Sequence, residues 1–425
     1  MGVFLYMYRR KTSVIILFLF TFVLCMCVVP WLYLDFRTQP VKTNSTLKGV
    51  MTGHHHNISD DDSIVLETCK KERRNFVFIK CMKCATESLG TMFRKFGYDR
   101  NLSFVLPIKK NLWLGWPYPL SKANFRPSVR GYNILMEHSI YNKSFLQEIM
   151  PQNSVYISSI RKPFQHFLSV CQYFELPYYS NKVTFAEKIK DYLENFEHYE
   201  TIYKSYELAS VRRWCPGDEF SMTQNLLSHC LGMPLGFPPG RRDISQDLAS
   251  AKEYIRFLDR NFMLIMIVEY LHESLVLLRR LMCWSLKDII YNRVNKGVYD
   301  KKSPVTKENI NLHKNISRID YLLYDYFNAT FWNKVGLQGK DFFDEVAMFT
   351  RIINDVTAFC RLSSDHSDSS IAFPESKWST DFTVSRQECE LQSKYLPILL
   401  KERYDEQEGH LHPPIDETKV VLRHC

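Results

Sequence analysis

The chain has 425 residues, 45% of them hydrophobic and 24% charged, with a formal net charge of +9 and a sequence pI of about 8.8. This balance excludes a low-complexity or disordered chain and favours one large α/β domain with appendages. The positive excess suits an anionic partner such as a nucleotide or a lipid surface, and the lack of an Arg/Gly-rich tract or zinc-finger spacing argues against nucleic acid.

Residues 1–11 read as a cytosolic tail that ends in Arg9, Arg10 and Lys11. No charge occurs from Thr12 to Leu34, a run longer than the about 20 apolar residues that span a bilayer. The basic flank places the short N-terminus in the cytosol and the remainder in a lumen. The run outlasts the about 7–15 apolar residues of a cleaved signal peptide and ends in CVVPWLYLDF, with no small-residue cleavage site, so it reads as an uncleaved anchor at 12–34. Residues 35–68 read as a stem rich in Thr, Ser, Asn and Asp. Its His54, His55 and His56 form a solvated stretch rather than a metal site. Residues 69–425 form the lumenal domain. Six sequons follow the anchor, at Asn44, Asn57, Asn101, Asn142, Asn315 and Asn328, and all are candidate glycosylation sites. The cysteines beyond the anchor face an oxidising compartment, and their pairing is not fixed by sequence.

Within the domain, Asn75 to Lys80 (NFVFIK) suits a buried parallel strand. After a turn at Cys81 to Ala85, Thr86 to Phe96 has helical spacing, with Leu89, Met92, Phe93 and Phe96 on one face. Tyr132–Met136 and Ser154–Ile160 read as further strands, and Pro163–Phe174 as a helix with proline in its first turn. Thr184 and Glu187 predict a capped helix over Thr184–Asn195. Asn261–Val268 predicts another strand and Leu271–Cys283 another helix, and from Thr306 the chain reads as mostly helical. Strands alternating with helices predict an α/β fold, a three-layer sandwich around a parallel sheet.

Two strand ends carry candidate chemistry. At the first, Lys80-Cys81-Met82-Lys83-Cys84-Ala85-Thr86-Glu87-Ser88 leads a strand into a helix N-terminus, where free N–H groups and a partial positive charge attract phosphate. Lys83 sits in the turn, and Thr86 and Ser88 offer hydroxyls. The arrangement follows P-loop logic without its glycines or its magnesium ligand. At the second, Arg161 leaves the strand Ser154–Ile160, where a guanidinium can grip phosphate at two points, and Ser169 follows two turns into the next helix. A nucleotide with phosphates at both ends of its ribose would fill both sites.

These segments resemble the galactose-3-O-sulfotransferase family, Golgi enzymes that use 3′-phosphoadenosine 5′-phosphosulfate (PAPS). The resemblance runs from Asn75 to Pro414. It rests on Lys80-x-x-Lys83, on Arg161-x-Pro163-x5-Ser169, on Arg94-Lys95-Phe96-Gly97 through Leu106-Pro107, and on Tyr132-Asn133-Ile134-Leu135 before His138. Gln224-Asn225-Leu226-Leu227 and the unbroken stretch Met266 to Trp284 complete it. It implies a P-loop-like fold and a type II Golgi protein acting on a galactose-terminated glycolipid or glycan. No metal is required, and a homodimer is compatible with it. The loop Lys80 to Ser88 would hold the 5′-phosphosulfate, with Lys83 stabilising the leaving phosphate, and Arg161 and Ser169 would hold the 3′-phosphate. Where the family has Lys-Thr-His-Lys, this chain has Lys80-Cys81-Met82-Lys83, so the histidine suited to general-base work is absent. His138 is the first replacement, then Glu87 or Glu137. Lys162 stands where the family usually has Asp. Transfer to another sugar hydroxyl, or a non-catalytic Golgi protein binding nucleotide or glycan, are the competing readings. A metal-dependent glycosyltransferase is set aside because the Asp60-Asp61-Asp62 run lies in the stem.

Overall fold

A computed structural model of the chain describes residues 71–108, 113–176, 180–204, 220–292, 306–362, 369–392 and 396–413. The expected anchor, the stem, Asn44 and Asn57 lie outside them. Among the described residues no helix is long and apolar enough to cross a membrane.

Four parallel strands form the central sheet: β1 (Phe76–Ile79), β2 (Ile134–Leu135), β3 (Val155–Ile160) and β4 (Phe262–Ile267), in the order β2-β1-β3-β4. All four side chains of β1 are fully buried. Alternate residues of a strand face opposite sides, so burial along the whole strand means that both faces of the sheet are covered. One face carries Phe76 and Phe78, which pack on Phe93 of α1 (Thr86–Asp99). Trp284 closes that cluster, stacked on Phe96 at 3.9 Å between ring centroids.

The chain leaves β1 toward β2 on one side and returns to β3 on the other. The order therefore reverses between β1 and β3, and open α/β sheets bind ligands in the crevice beyond such strand ends. Between β2 and β3 lies the short helix α2 (Lys143–Ile149). α3 (Pro163–Phe174) starts directly after β3 with Pro163 in its first turn. α4 (Phe185–Glu194) carries the expected capping box of Thr184 and Glu187, and α5 (Phe196–Lys204) follows it. α6 (Leu226–Cys230) and α7 (Leu248–Asn261) precede β4, and α8 (Leu271–Met282) follows it.

The C-terminal third is helical through α9 (Lys307–Ile316), α10 (Arg318–Gly336), α11 (Phe342–Arg361), α12 (Arg386–Glu390) and α13 (Leu396–Gln407). α10 packs on β4 and α7, α11 on α8, and α13 on α1. An unexpected antiparallel hairpin, β5 (Ser370–Phe373) with β6 (Phe382–Ser385), interrupts the helices, and the Cys360–Cys389 disulfide spans it. Two four-residue strands are too short to show a period in sequence. β2 likewise shrinks from the expected Tyr132–Met136 to two residues, with a single parallel bridge from Phe104 on its outer side.

Candidate functional site

The turn from Lys80 to Ala85 joins β1 to α1. Lys83 (φ +60°) and Ala85 (φ +56°) are left-handed, while Cys84 between them is not. A left-handed non-glycine residue costs on the order of 1 kcal/mol, so the surroundings must hold this shape. Four side chains do so by binding carbonyls of the turn and its approach. Ser158 and Ser159, inside β3, donate to the carbonyls of Ile79 (2.8 Å) and Cys84 (2.9 Å). His138 Nδ1 binds the Lys80 carbonyl at 3.0 Å, and His166 Nε2 binds the Met82 carbonyl at 2.8 Å. A carbonyl oxygen only accepts, so each of these ring nitrogens carries the proton. C=O and N–H point opposite ways across a trans peptide. Tying the Met82 and Cys84 carbonyls to His166 and Ser159 therefore turns the N–H groups of Lys83 and Ala85 away from those side chains. Alternating handedness of this kind makes an anion-binding concavity, here placed at the positive N-terminus of a 14-residue helix.

The two predicted cations share a neighbour. The charge of Lys83 and that of Arg161 both act on the buried imidazole of His166, and Arg161 also acts on the Cys84 thiol. Lys83 Nζ stands 3.8 Å over the ring of Tyr173. His166, Ser169 and Tyr173 fall on one stripe of α3 at helical spacing, so a single helix face supports the turn from below and Lys83 from the side. The backbone N–H of Lys162 donates to Glu269 Oε1 at 2.8 Å, which fixes the exit of β3 against the end of β4. This bond uses the backbone of Lys162, so it does not depend on the side chain at 162.

Lys80 has another place. It is fully buried, and its ammonium lies 3.5 Å from Glu137 Oε2, beneath the turn rather than on its rim. Glu137 is gripped in turn by Arg94 of α1, at 2.6 Å and 2.9 Å from Nη2 to its two oxygens. Burial lowers the Lys80 pKa. It would raise that of Glu137, but the charges of Arg94 and Lys80 outweigh it and hold the carboxyl below its usual range. Cys81 also departs from expectation. Its sulfur is joined to Cys230 of α6, so this residue offers the crevice only backbone. Thr86 is buried at the first position of α1, while Glu87 is exposed and Ser88 half-buried beside it.

The sequence profile of the galactose-3-O-sulfotransferase family matches residues 4–367. The chain belongs to that family. Relatives include human (Homo sapiens) galactosylceramide sulfotransferase, 29% identical over 63% of this chain and 59% of the relative. Mouse (Mus musculus) galactose-3-O-sulfotransferase 3 is 28% identical over 62% of this chain and 57% of its own length. Human galactose-3-O-sulfotransferase 2 is 27% identical over 61% and 60%. The chain thus spans under two thirds of the length of these relatives.

The sequence offered three groups in this member of the galactose-3-O-sulfotransferase family as candidate bases, His138, Glu87 and Glu137. Met82 itself is buried among Phe164, Phe167 and their neighbours. Glu137 is locked by two cations. Glu87 is exposed, and its backbone carbonyl accepts from the Thr91 hydroxyl at 2.8 Å. His138 is 8% exposed and neutral, because burial, then the charge of Lys80, lowers its pKa well below 6.5. With its proton on Nδ1, its lone pair is on Nε2.

Sequence reading missed Ser158, Ser159 and His166, and gave Arg94 no role at the turn. Two serines inside an otherwise apolar strand were the available signal, since a buried hydroxyl needs a partner. Among the sequons, Asn101 and Asn315 are exposed, Asn142 caps α2 through Oδ1, and Asn328 Oδ1 is buried with no hydrogen-bond partner among the described residues. No group of three or more His, Cys, Asp or Glu side chains among the described residues is placed to hold a metal ion.

Proposed function

We propose that the chain transfers a sulfuryl group from PAPS to the 3-hydroxyl of a terminal galactose on a glycolipid or glycoprotein glycan, anchored in the Golgi membrane with its domain in the lumen. The observation that carries this reading is the pair of anion grips on neighbouring strand ends. One is the concavity after β1 with Lys83; the other is Arg161 after β3, and both charges reach the same imidazole. Family membership supplies the reaction class.

When bound, the donor supplies a sulfuryl group whose bond to a phosphate oxygen breaks as its bond to the sugar oxygen forms. The ammonium of Lys83 and the N–H groups of the turn meet the charge left on that phosphate. Arg161 and Ser169 grip the 3′-phosphate and fix the orientation of the nucleotide. His138 Nε2 takes the proton of the attacking hydroxyl. Lys80 acts from beneath, through its field and by anchoring Glu137, because its ammonium is sealed from the crevice.

The test is a transfer assay on the full-length chain in detergent, with PAPS, a panel of β-galactosides including galactosylceramide, and mass detection of product. Product on the galactose 3-hydroxyl is expected. Lys83→Ala and Arg161→Ala should each cut the rate by about 100-fold or more with an unchanged melting temperature. Normal rates in both variants would remove these residues from the site. Product on another hydroxyl would reassign the acceptor. Tight binding of the desulfated nucleotide without any product would favour the binding-only reading, which draws its support from Met82.

A further inference from the structure

The turn after β1 has no glycine, and Lys83 and Ala85 are nevertheless left-handed. Something must choose the orientation of the Met82–Lys83 peptide plane, because that plane carries both the Met82 carbonyl and the Lys83 N–H. The side-chain bond to this carbonyl comes from His166, at 2.8 Å. His166 is 3% exposed, so it cannot touch an acceptor sugar, and it sits on α3, a helix whose Phe164 and Phe167 are also buried.

We propose that His166 is the positioning residue of the nucleotide cradle, holding the Met82 carbonyl inward so that the Lys83 N–H and ammonium face the phosphosulfate. The proposal rests on the reading of this turn as the nucleotide site. A histidine thus reaches position 82 from the neighbouring helix, binding its backbone instead of forming its side chain. Burial lowers the His166 pKa to about 4, with the charges of Arg161 and Lys83 acting the same way. The imidazole therefore stays neutral at lumenal pH and adds no third cation beside the turn. It serves as a donor alone, with its proton on Nε2.

The role predicts which replacements succeed. Glutamine places an N–H donor near the position of Nε2. Asparagine is one methylene too short to reach Met82, and leucine fills the space with no donor. Binding of 3′-phosphoadenosine 5′-phosphate to the full-length chain in detergent would be measured by calorimetry for wild type, His166→Gln, His166→Asn and His166→Leu. Melting temperature would be followed in parallel. The expected result is near-wild-type affinity for His166→Gln and a loss of about tenfold for His166→Asn and His166→Leu, the effect of one lost hydrogen bond to the cradle. If His166→Leu does not fold, the contrast between the glutamine and asparagine variants carries the test. Equal affinity in all folded variants would overturn the role of His166 and leave the nucleotide site standing. A wild-type chain that does not bind the nucleotide would overturn the site reading and the role of His166 with it.

Discussion

Lys80 and Lys83 are three residues apart, and their surroundings give them different tasks. The fully buried Lys80 forms a triad with Glu137 and Arg94 that ties the end of β1 to α1 and to the segment after β2. Lys83 lies over the ring of Tyr173 beside the crevice. His138 likewise has two separable tasks, one on each ring nitrogen. His138→Asn keeps a donor near Nδ1 for the Lys80 carbonyl and removes the Nε2 lone pair. Turnover should then fall by about 10²–10⁴-fold while nucleotide affinity stays near wild type. Steady-state rates beside calorimetric affinities check this, and an unchanged turnover would clear His138 of the proton-accepting role.

At the scale of elements, the cradle is a turn held between β3, α3 and α6. The Cys81–Cys230 disulfide supplies the covalent part, closing a sequence separation of 149 residues just where β1 ends. A disulfide of this kind stabilises the fold by about 2–4 kcal/mol, in part by restricting the unfolded chain. Cys230→Ala should lower the melting temperature by several degrees and weaken nucleotide binding, because the turn loses its tie to α6. Calorimetry on the oxidised wild type and the variant reads both effects. An unchanged affinity would mean that the side-chain bonds to the carbonyls suffice. The helices of this region were legible because each has a local signal: Pro163 at the start of α3, the Thr184–Glu187 box on α4, and the apolar stripe of α1. The hairpin β5–β6 has no such signal, since it depends on pairing across residues 374–381 and on a disulfide.

At the scale of the whole molecule, buried histidines oppose stability in acid, while burial of Asp320, which raises its pKa to about 6, acts in the opposite sense. Burial holds His166 and His229 to a pKa of about 4, and His313 to about 3, against 6.5 for an exposed imidazole. As pH falls below 6.5 the unfolded chain binds protons that the folded chain refuses, so stability declines until the folded values are reached. The loss is on the order of 1–2 kcal/mol for each group by pH 5. Scanning calorimetry should show a melting temperature that falls steadily from neutral pH to pH 5, and a shallower fall in His313→Phe, which removes one of these groups from a site packed on Phe164 and Phe167. Identical slopes in the two proteins would exclude His313 from the effect.

Sequence by itself determined the alternation of strands and helices, the family, and the placement of Lys83 and Arg161 just beyond two strand ends. Each is written in a local pattern: an apolar run, a cap, or a motif of fixed spacing. Tertiary structure alone decided that β1 and β3 are neighbours across the reversal of strand order, that Lys80 is sealed under the turn, and that Cys81 pairs with Cys230. It also decided that Ser158, Ser159, His138 and His166 converge on four carbonyls of one short segment. Those bonds join residues 58 to 84 positions apart, and no local pattern encodes a partner that only the folding of the sheet brings within reach.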